Sequence, residues 1–306
     1  MTAQPVRAAG SRDAPAALAC GRICAVAGQG QRELREWAAA YPGLYGAEIF
    51  DPALYSTVAL AAAFSGPERS AAELRMANRA CLWCFGLDWL IDHVATTRHE
   101  VDAIVGRCAA VADGAPTAEA DELTAFLADL RDEVAVAAAG PALRGVWRDE
   151  LGRMLRAMAR EWVWNAARAA GDSRAPTFDE YLDNADNLAF SFVFTTFWIS
   201  VAGPVEDAAI GPVRAAMRAV QRVVRLLNDL GSYERDLAWD DLNALRLGVP
   251  RAEVNRRLAE LTARARSLVA VLRDGHPRLA DHADYLERQM DFCAGFYGIS
   301  DFWGKF

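Results

Sequence analysis

Residues 83–92 read Trp83-Cys84-Phe85-Gly86-Leu87-Asp88-Trp89-Leu90-Ile91-Asp92, an apolar segment interrupted by two carboxylates. Asp88 and Asp92 are four residues apart, so a helix places both on one face, one turn apart. Two like charges in apolar surroundings are costly unless a cation lies between them. The segment therefore indicates either a site for a hard divalent cation or the exposed end of a buried helix, with Arg98 as a partner.

A second polar pattern lies in residues 227–236, which read Leu227-Asn228-Asp229-Leu230-Gly231-Ser232-Tyr233-Glu234-Arg235-Asp236. Asn228, Ser232 and Asp236 follow each other at four-residue steps, which predicts an amide, a hydroxyl and a carboxylate along one helical stripe. Mg²⁺ suits such donors because it keeps several waters and takes further ligands from substrate phosphates. Arg235 lies beside the stripe and is a candidate phosphate contact. The alternative is a solvated helix face with a weak point at its centre.

The remaining sequence predicts an all-α fold of roughly ten helices. Ala, Leu, Arg and Glu dominate the periodic segments, whereas alternating β-branched runs bounded by Asn-Gly or Asp-Gly turns are missing. Proline recurs where these segments begin, as at Pro52, Pro141 and Pro212. Thr177 and Glu180 have the spacing of a capping box, which predicts a helix directly after Thr177.

The segment 188–205 carries almost no charge and is close to the ~18 to 20 residues that a membrane-spanning helix needs. It contains Ser191, Thr195 and Ser200, and Pro204 ends it. We interpret it as a helix buried on all sides in a globular core, and we expect no stable membrane insertion.

Composition restricts the classes of function. With 306 residues, of which 53% are hydrophobic, the chain has enough apolar surface for a large core. A formal net charge of −8 disfavours a nucleic-acid partner or an anionic membrane surface. Six cysteines in a chain of this length do not make a disulfide framework, which favours a reducing, cytoplasmic location. We expect a flexible tail over residues 1–30 and a single helical domain over residues 31–306, because no linker-like or repeated segment divides the latter.

Together, the two polar patterns resemble the signatures of bacterial class I terpene synthases of the diterpene type. That family carries a DDxxD motif on one helix and an NDxxSxxx(K)E motif on a later, facing helix. Asp88-Trp89-Leu90-Ile91-Asp92 matches the first motif with Trp in place of the second Asp. Residues 228–236 match the second motif with a terminal Asp in place of Glu. Glu161-Trp162 and Tyr181-Leu182 are similar to the family's approach to its central cavity helix.

The resemblance implies a helical bundle around a central apolar cavity. It also implies a lyase that ionises a linear prenyl diphosphate, its small-molecule partner, and cyclises the carbocation. The cofactor would be about three Mg²⁺ ions. Their implied ligands and catalytic residues are Asp88, Asp92, Asn228, Ser232 and Asp236. Diphosphate contacts are implied for Arg235 and for Lys305, which stands near the family's C-terminal Arg-Tyr pair. A homodimer is the expected oligomeric state.

The walls of the implied cavity are expected to be aromatic, because aromatic faces stabilise a cation by about 0.5–2 kcal/mol each. The predicted cavity residues are Phe85, Trp89, Tyr181, Asn184, Phe190, Phe194, Trp198, Tyr297 and Trp303. For each aromatic residue, ordinary core packing is the alternative. The amide of Asn184 would equally suit a helix break.

One departure from the family concerns the arginine that senses the diphosphate. The family has it shortly after the Tyr-Leu pair, where this chain reads Asp183-Asn184-Ala185-Asp186-Asn187, so other donors would have to replace it. The region around Leu87 resembles diterpene synthases, which favours geranylgeranyl diphosphate as the substrate. A sesquiterpene cyclase acting on farnesyl diphosphate, a chain-elongating prenyltransferase and an inactive helical scaffold are the alternatives.

Overall fold

Helices make up the regular secondary structure of the described chain, which in this computed structural model comprises residues 14–118, 120–138, 140–171 and 175–304. A π-helical turn spans Leu90–Val94, and 3₁₀ turns span Ala185–Leu188 and Pro277–Leu279. The predicted all-α fold is confirmed. The α-helices are α1 (Ala14–Ala40), α2 (Pro42–Tyr45), α3 (Pro52–Ser65), α4 (Ala71–Trp89), α5 (Arg98–Ala112), α6 (Glu122–Ala137), α7 (Pro141–Ala169), α8 (Phe178–Asp183), α9 (Phe190–Val201), α10 (Asp207–Gly231), α11 (Tyr233–Trp239), α12 (Arg251–Gly275) and α13 (Ala280–Phe296).

The first helix, α1, begins inside the stretch for which the sequence predicts a flexible tail. Ile23, Ala27, Leu34 and Ala38 recur at helical spacing and are buried, and α1 packs against α3 and α4. The tail prediction is therefore wrong for residues 14–30, which are helical, and packing of α1 against its neighbours begins at Ile23. Residues 1–13 lie outside the described part of the chain.

Local sequence signals set several helix starts. The Thr177 side chain accepts a hydrogen bond from the Glu180 amide, and the Glu180 carboxylate accepts one from the Thr177 amide at 2.8 Å. This capping box confirms the predicted start of α8. Pro52 and Pro141 occupy the first helical turn, as expected. Pro212 instead lies inside α10, so that prediction was wrong at this position.

Helix α9 forms the centre of the core. Its Phe192, Phe197 and Trp198 side chains are almost completely buried, and α9 packs against α4, α6, α7 and α10. Its threonines are satisfied inside the protein, since Trp147 donates to the Thr196 hydroxyl at 2.9 Å. Residues 190–201 thus form the buried helix that the sequence predicts. Among the described residues, no helix is long and apolar enough to cross a membrane.

The helices surround a cavity of about 210 Å³. Helices α3, α4, α9 and α13 contribute apolar side chains to it, while the C-terminal ends of α4 and α10, together with α11, contribute polar ones. Residues after α13 lie against the same cavity through Tyr297, Phe302 and Trp303. The fold therefore gives one cavity a polar mouth and an apolar interior.

Candidate active site

The first pair of carboxylates lies at the mouth of the cavity. Asp88 is in the last turn of α4, and Asp92 is in the π-helical turn that follows it; both line the cavity. Single π-helical turns are frequent at functional sites. Burial raises the pKa of Asp88 to about 6, against the opposing effect of Arg235. The protein around the mouth and the Asp88 carboxylate raise the pKa of Asp92 above its usual range, although the Asp92 side chain is exposed to solvent. Both groups are therefore destabilised as anions until a cation approaches.

The second motif faces this pair from two helices instead of one. Asn228 is in the last turn of α10, Asp236 is in α11, and Ser232 joins the helices with φ −92° and ψ 1°. The backbone continues through the junction, because the Ser232 amide bonds to Asn228 at 2.7 Å and the Asp236 amide bonds to Ser232 at 2.9 Å. The Ser232 hydroxyl also donates to Asp236 Oδ2 at 2.6 Å. Asn228 and Asp236 therefore line the cavity, whereas Ser232 is buried behind them with its hydroxyl held against Asp236, and the single helical stripe is interrupted.

Gly231 makes this junction possible. A Cβ atom at Gly231 would lie 2.5 Å from the backbone oxygen of Tyr297. Any larger residue would push the segment after α13 away from α10. The close approach brings Tyr297 to the cavity, where the sequence predicts it.

A buried network supports the second motif from behind. Tyr181 donates to Asp229 Oδ1 at 2.7 Å and accepts from Arg225 Nε at 2.7 Å. Arg225 also pairs with Glu161 at 3.0 Å and with Asp229 at 3.3 Å. Burial raises the pKa of Asp229 to about 7, while Arg225 acts in the opposite direction. The prediction that Tyr181 lines the cavity is wrong, because its hydroxyl is committed to this network.

Arg235, for which the sequence predicts a diphosphate contact, lines the cavity. Its guanidinium pairs with Asp236 at 2.7 Å, lies 3.6 Å from Asp301 and stacks 5.2 Å from the centre of the Trp239 ring. Asn243 donates to the second oxygen of Asp236 at 2.8 Å. The other predicted diphosphate contact, Lys305, lies outside the described residues.

Five of the nine predicted cavity residues line the cavity: Phe85, Phe190, Phe194, Tyr297 and Trp303. Besides Tyr181, three others do not, and each for a specific reason. Trp89 packs against Phe50 and His93 beside the mouth. Asn184 donates to the Ala157 carbonyl at 2.9 Å and satisfies the helix break. Trp198 lies one turn after Phe194 on α9 and is fully buried away from the cavity.

Three charged cavity residues were absent from the predicted site: Glu161, Arg225 and Asp241. A signal for Arg225 was available, because it lies three residues before Asn228 and a helix places both on one face. Glu161 stood out only in the resemblance to the family. Asp241 lies in a loop after α11, where no periodicity indicates its direction. Burial and the Asp236 carboxylate raise its pKa to about 7.

The charges around the mouth suit a divalent cation. Of the described residues that line the cavity, five are carboxylates and two are arginines, so negative charge is in excess. The carboxylates, the Asn228 amide and the Ser232 hydroxyl are hard oxygen donors of the type that Mg²⁺ takes. No group of three His, Cys, Asp or Glu side chains within the described ranges forms a metal site by itself. The site therefore fits an ion that draws its remaining ligands from a substrate and water.

Comparisons with known proteins agree with this geometry. The model of terpene synthase family 2, C-terminal metal binding, matches residues 79–247. The chain is 29% identical to ent-pimara-9(11),15-diene synthase from Streptomyces sp. (strain KO-3988) over 89% of this chain and 91% of that protein.

Solved structures share the fold. One is 2-methylisoborneol synthase from Streptomyces coelicolor A3(2) in complex with Mg²⁺ and geranyl-S-thiolodiphosphate, with a TM-score of 0.67 and 18% identity. That match covers 91% of this chain and 95% of the other. Linalool/nerolidol synthase from Streptomyces clavuligerus matches with a TM-score of 0.66 and 20% identity, over 89% of this chain and 97% of the other. The matched family region contains both carboxylate motifs and the buried network behind them, and the chain belongs to the bacterial class I terpene synthases, as a terpene-cyclising lyase.

Proposed function

We propose that this chain is a Mg²⁺-dependent diterpene cyclase that ionises geranylgeranyl diphosphate, cyclises the carbocation and releases diphosphate. One observation carries the proposal: two sets of oxygen donors face the same end of a cavity whose other walls are aromatic and aliphatic. The polar end suits a metal-bound diphosphate, and the interior suits a hydrocarbon chain. The Mg²⁺ and diphosphate analogue bound by the Streptomyces coelicolor protein support this choice of ligands.

The metal ligands that we propose are Asp88 and Asp92 on one side of the mouth and Asn228, Ser232 and Asp236 on the other. Bound Mg²⁺ supplies Lewis-acid stabilisation of the charge that develops on the departing oxygens. Ser232 and Asn243 hold the Asp236 carboxylate from two directions, at 2.6 and 2.8 Å. This donor is therefore oriented before a ligand arrives, which lowers the cost of binding.

For the diphosphate we propose two arginine contacts, Arg235 and Arg225. Arg225 lies on the same face of α10 as Asn228 and lines the cavity, so it is a candidate for the role of the missing sensor arginine. Glu161 and Asp229 fix the direction of its guanidinium. Guanidinium groups suit phosphate oxygens because they form directed, charge-assisted hydrogen bonds. Lys305 stays a prediction.

The cavity walls would exclude water from the carbocation and stabilise it through their faces. Phe85 packs against Trp303 with ring centres 4.9 Å apart, and Phe194 packs against Tyr285 at 5.9 Å. A dry aromatic site prevents premature quenching and strengthens the attraction between a cation and the rings.

The substrate length rests on the named relative, a diene synthase, and on the resemblance of the Asp88 region to diterpene synthases. Farnesyl diphosphate is the second candidate, since cavity residues alone do not measure chain length. The family match favours a cyclase over the prenyltransferase and scaffold alternatives. The homodimer, the single domain and the cytoplasmic location stay predictions.

The test is incubation of the purified protein with geranyl, farnesyl or geranylgeranyl diphosphate, with Mg²⁺ or with EDTA. Extracted products are identified by mass spectrometry, and released diphosphate is measured in parallel. A cyclic C20 product that appears only with Mg²⁺ would support the proposal in full. A C15 product would correct the substrate, whereas diphosphate release in EDTA would contradict the metal dependence.

A further inference from the structure

Asn78 is a polar residue in the apolar interior of the cavity. It lies on α4 ten residues before Asp88, and at 1.5 Å per residue it is about 15 Å from Asp88 along the helix axis. Its side chain is only 2% exposed, it lines the cavity, and its Oδ1 has no hydrogen-bond partner among the described residues. A buried, unpaired amide at the end opposite the diphosphate site requires an explanation, because such groups are normally satisfied.

Gln289 shows what a structural amide looks like in the same cavity. Its Oε1 accepts a hydrogen bond from Ser65 at 2.6 Å, and its Nε2 donates to Cys293 Sγ at 3.3 Å. Gln289 therefore connects α3 to α13 and is satisfied without a ligand. Asn78 Oδ1 has no such connection, and in the orientation shown it is shielded, so the oxygen reaches the cavity only when the amide rotates.

The neighbouring backbone restricts how the Asn78 amide can lie. A Cβ atom at Gly30 would lie 2.8 Å from Asn78 Nδ2. The backbone of α1 therefore comes so close to this amide that a residue with a side chain at position 30 would displace it. Exchange of the amide oxygen and nitrogen by rotation about χ2 keeps the amide plane in the same slot. The amide can thus present its oxygen to the cavity without moving the helix.

We propose that the amide oxygen of Asn78 contacts the positive charge when it reaches the far part of the substrate chain, and so helps to determine the product. This inference rests on the proposed cyclase function. In the step concerned, the carbon–oxygen bond to diphosphate breaks and its electron pair leaves with the diphosphate. The π electrons of a distal double bond then form a carbon–carbon bond to the first carbon, and the positive charge passes to the distal carbon.

A carbocation offers no hydrogen bond, so it is stabilised by the negative end of a dipole. A fixed carbonyl dipole in an apolar site acts strongly on such a charge, because little solvent screens it. An oxygen that is already hydrogen-bonded, as in Gln289, has less of its negative charge to offer. The lack of a partner at Asn78 is therefore the property that this role requires.

The experiment compares Asn78→Leu with Asn78→Asp, since leucine and aspartate resemble asparagine in size but only aspartate keeps an oxygen. Both variants are incubated with geranylgeranyl diphosphate and, separately, farnesyl diphosphate in the presence of Mg²⁺. For Asn78→Leu we expect, among the substrate molecules that are ionised, an approximately tenfold lower ratio of the main product to earlier-quenched products. Asn78→Asp should keep the main product. An unchanged profile in Asn78→Leu, or the same altered profile in both variants, would overturn the inference.

Gly30→Ala provides a second route in case the Asn78 variants do not fold. Its added methyl group displaces the amide and leaves Asn78 in place, so it should shift the products in the direction of Asn78→Leu. Gly28→Ala is the matched control on α1, because its Cβ would meet only the end of Arg32, at 4.0 Å. Equal product profiles for the two glycine variants would contradict the inference. If the wild type releases no diphosphate from any prenyl substrate, the proposed function itself fails; if it turns over and only these product shifts are missing, the Asn78 inference fails alone.

Discussion

The two sides of the cavity mouth carry similar oxygen donors but are held in opposite ways. On the α4 side, half-buried Asp88 and exposed Asp92 accept no hydrogen bond from any residue that the structure describes, and the surrounding protein raises the pKa of both. On the α10–α11 side, Asp236 accepts hydrogen bonds from Ser232, Asn243 and Arg235. One side is thus unfavourable without a cation, and the other is satisfied by the protein itself.

This difference assigns separate tasks to the two sides. Carboxylates without protein partners are stabilised mainly when a cation binds, so the α4 side makes ligand binding favourable. Carboxylates with partners hold their positions in the absence of a ligand, so the α10–α11 side preserves the geometry. Substitutions on the α4 side should therefore change turnover without destabilising the fold, whereas substitutions on the other side should affect both.

The largest effect on folding is expected for Asp229→Ala. This change leaves Arg225 and Tyr181 without their shared partner in the interior. Breaking a buried ion pair from one side costs about 3–5 kcal/mol. Urea denaturation should show that loss in the free energy of unfolding. Asp102→Ala is the control, since Asp102 pairs with Arg98 on the exposed surface of α5 and should change stability by less than about 1 kcal/mol. Equal losses in the two variants would contradict the supporting role of the buried network.

Asp88→Asn tests the opposite side. Removing one metal-binding charge should lower the rate of diphosphate release by about 10²–10³-fold, or about 3–4 kcal/mol in the barrier. The melting temperature without metal should stay the same or rise, because the change removes a half-buried carboxylate charge that repels Asp92. A large drop in melting temperature would mean that Asp88 supports the fold, and the contrast between the two sides would no longer hold.

The sequence predicts the local features of this site better than its spatial ones. The spacing of Asp88 and Asp92, and of Asn228, Ser232 and Asp236, is a local property, and a helix converts it into a shared face. Trp198 shows what such a pattern misses: it continues the spacing of Phe190 and Phe194, which line the cavity, but it does not line the cavity itself. Where a cavity ends depends on contacts between distant helices, which no local pattern contains.

The N-terminal helix shows a second limit. The alanine- and glycine-rich composition of residues 14–30 predicts a tail, yet these residues are helical, and Gly30 lies directly against Asn78. Small residues favour disorder only when no partner surface is available, and here α3 and α4 provide one. The buried ion pair between Arg225 and Glu161 could not be predicted from the sequence either, because the two residues are 64 positions apart.

Arg225→Lys keeps the positive charge behind the second motif but removes the two-pronged guanidinium group. Lysine cannot hold Tyr181 and Glu161 while it also faces the cavity, so kcat/KM should fall by about 10–100-fold. Arg222→Lys is the matched control, because Arg222 lies on the same helix and pairs with Asp183 at the surface. Similar kinetic losses in both variants would remove Arg225 from the proposed diphosphate contacts.

The smallest expected effect belongs to the junction between α10 and α11. Gly231→Ala places a Cβ atom 2.5 Å from the Tyr297 backbone oxygen, so the segment after α13 must move. Overpacking of this kind costs about 1–3 kcal/mol, which exceeds the roughly 1 kcal/mol that alanine gains over glycine inside a helix. Gly106→Ala in α5 has open space around the added atom and should be slightly stabilising. Thermal unfolding of the two variants should therefore change in opposite directions. If both become more stable, then the close contact between Gly231 and Tyr297 does not hold the second motif in place, and the ordered state of the α10–α11 side must come from the buried Arg225 network alone.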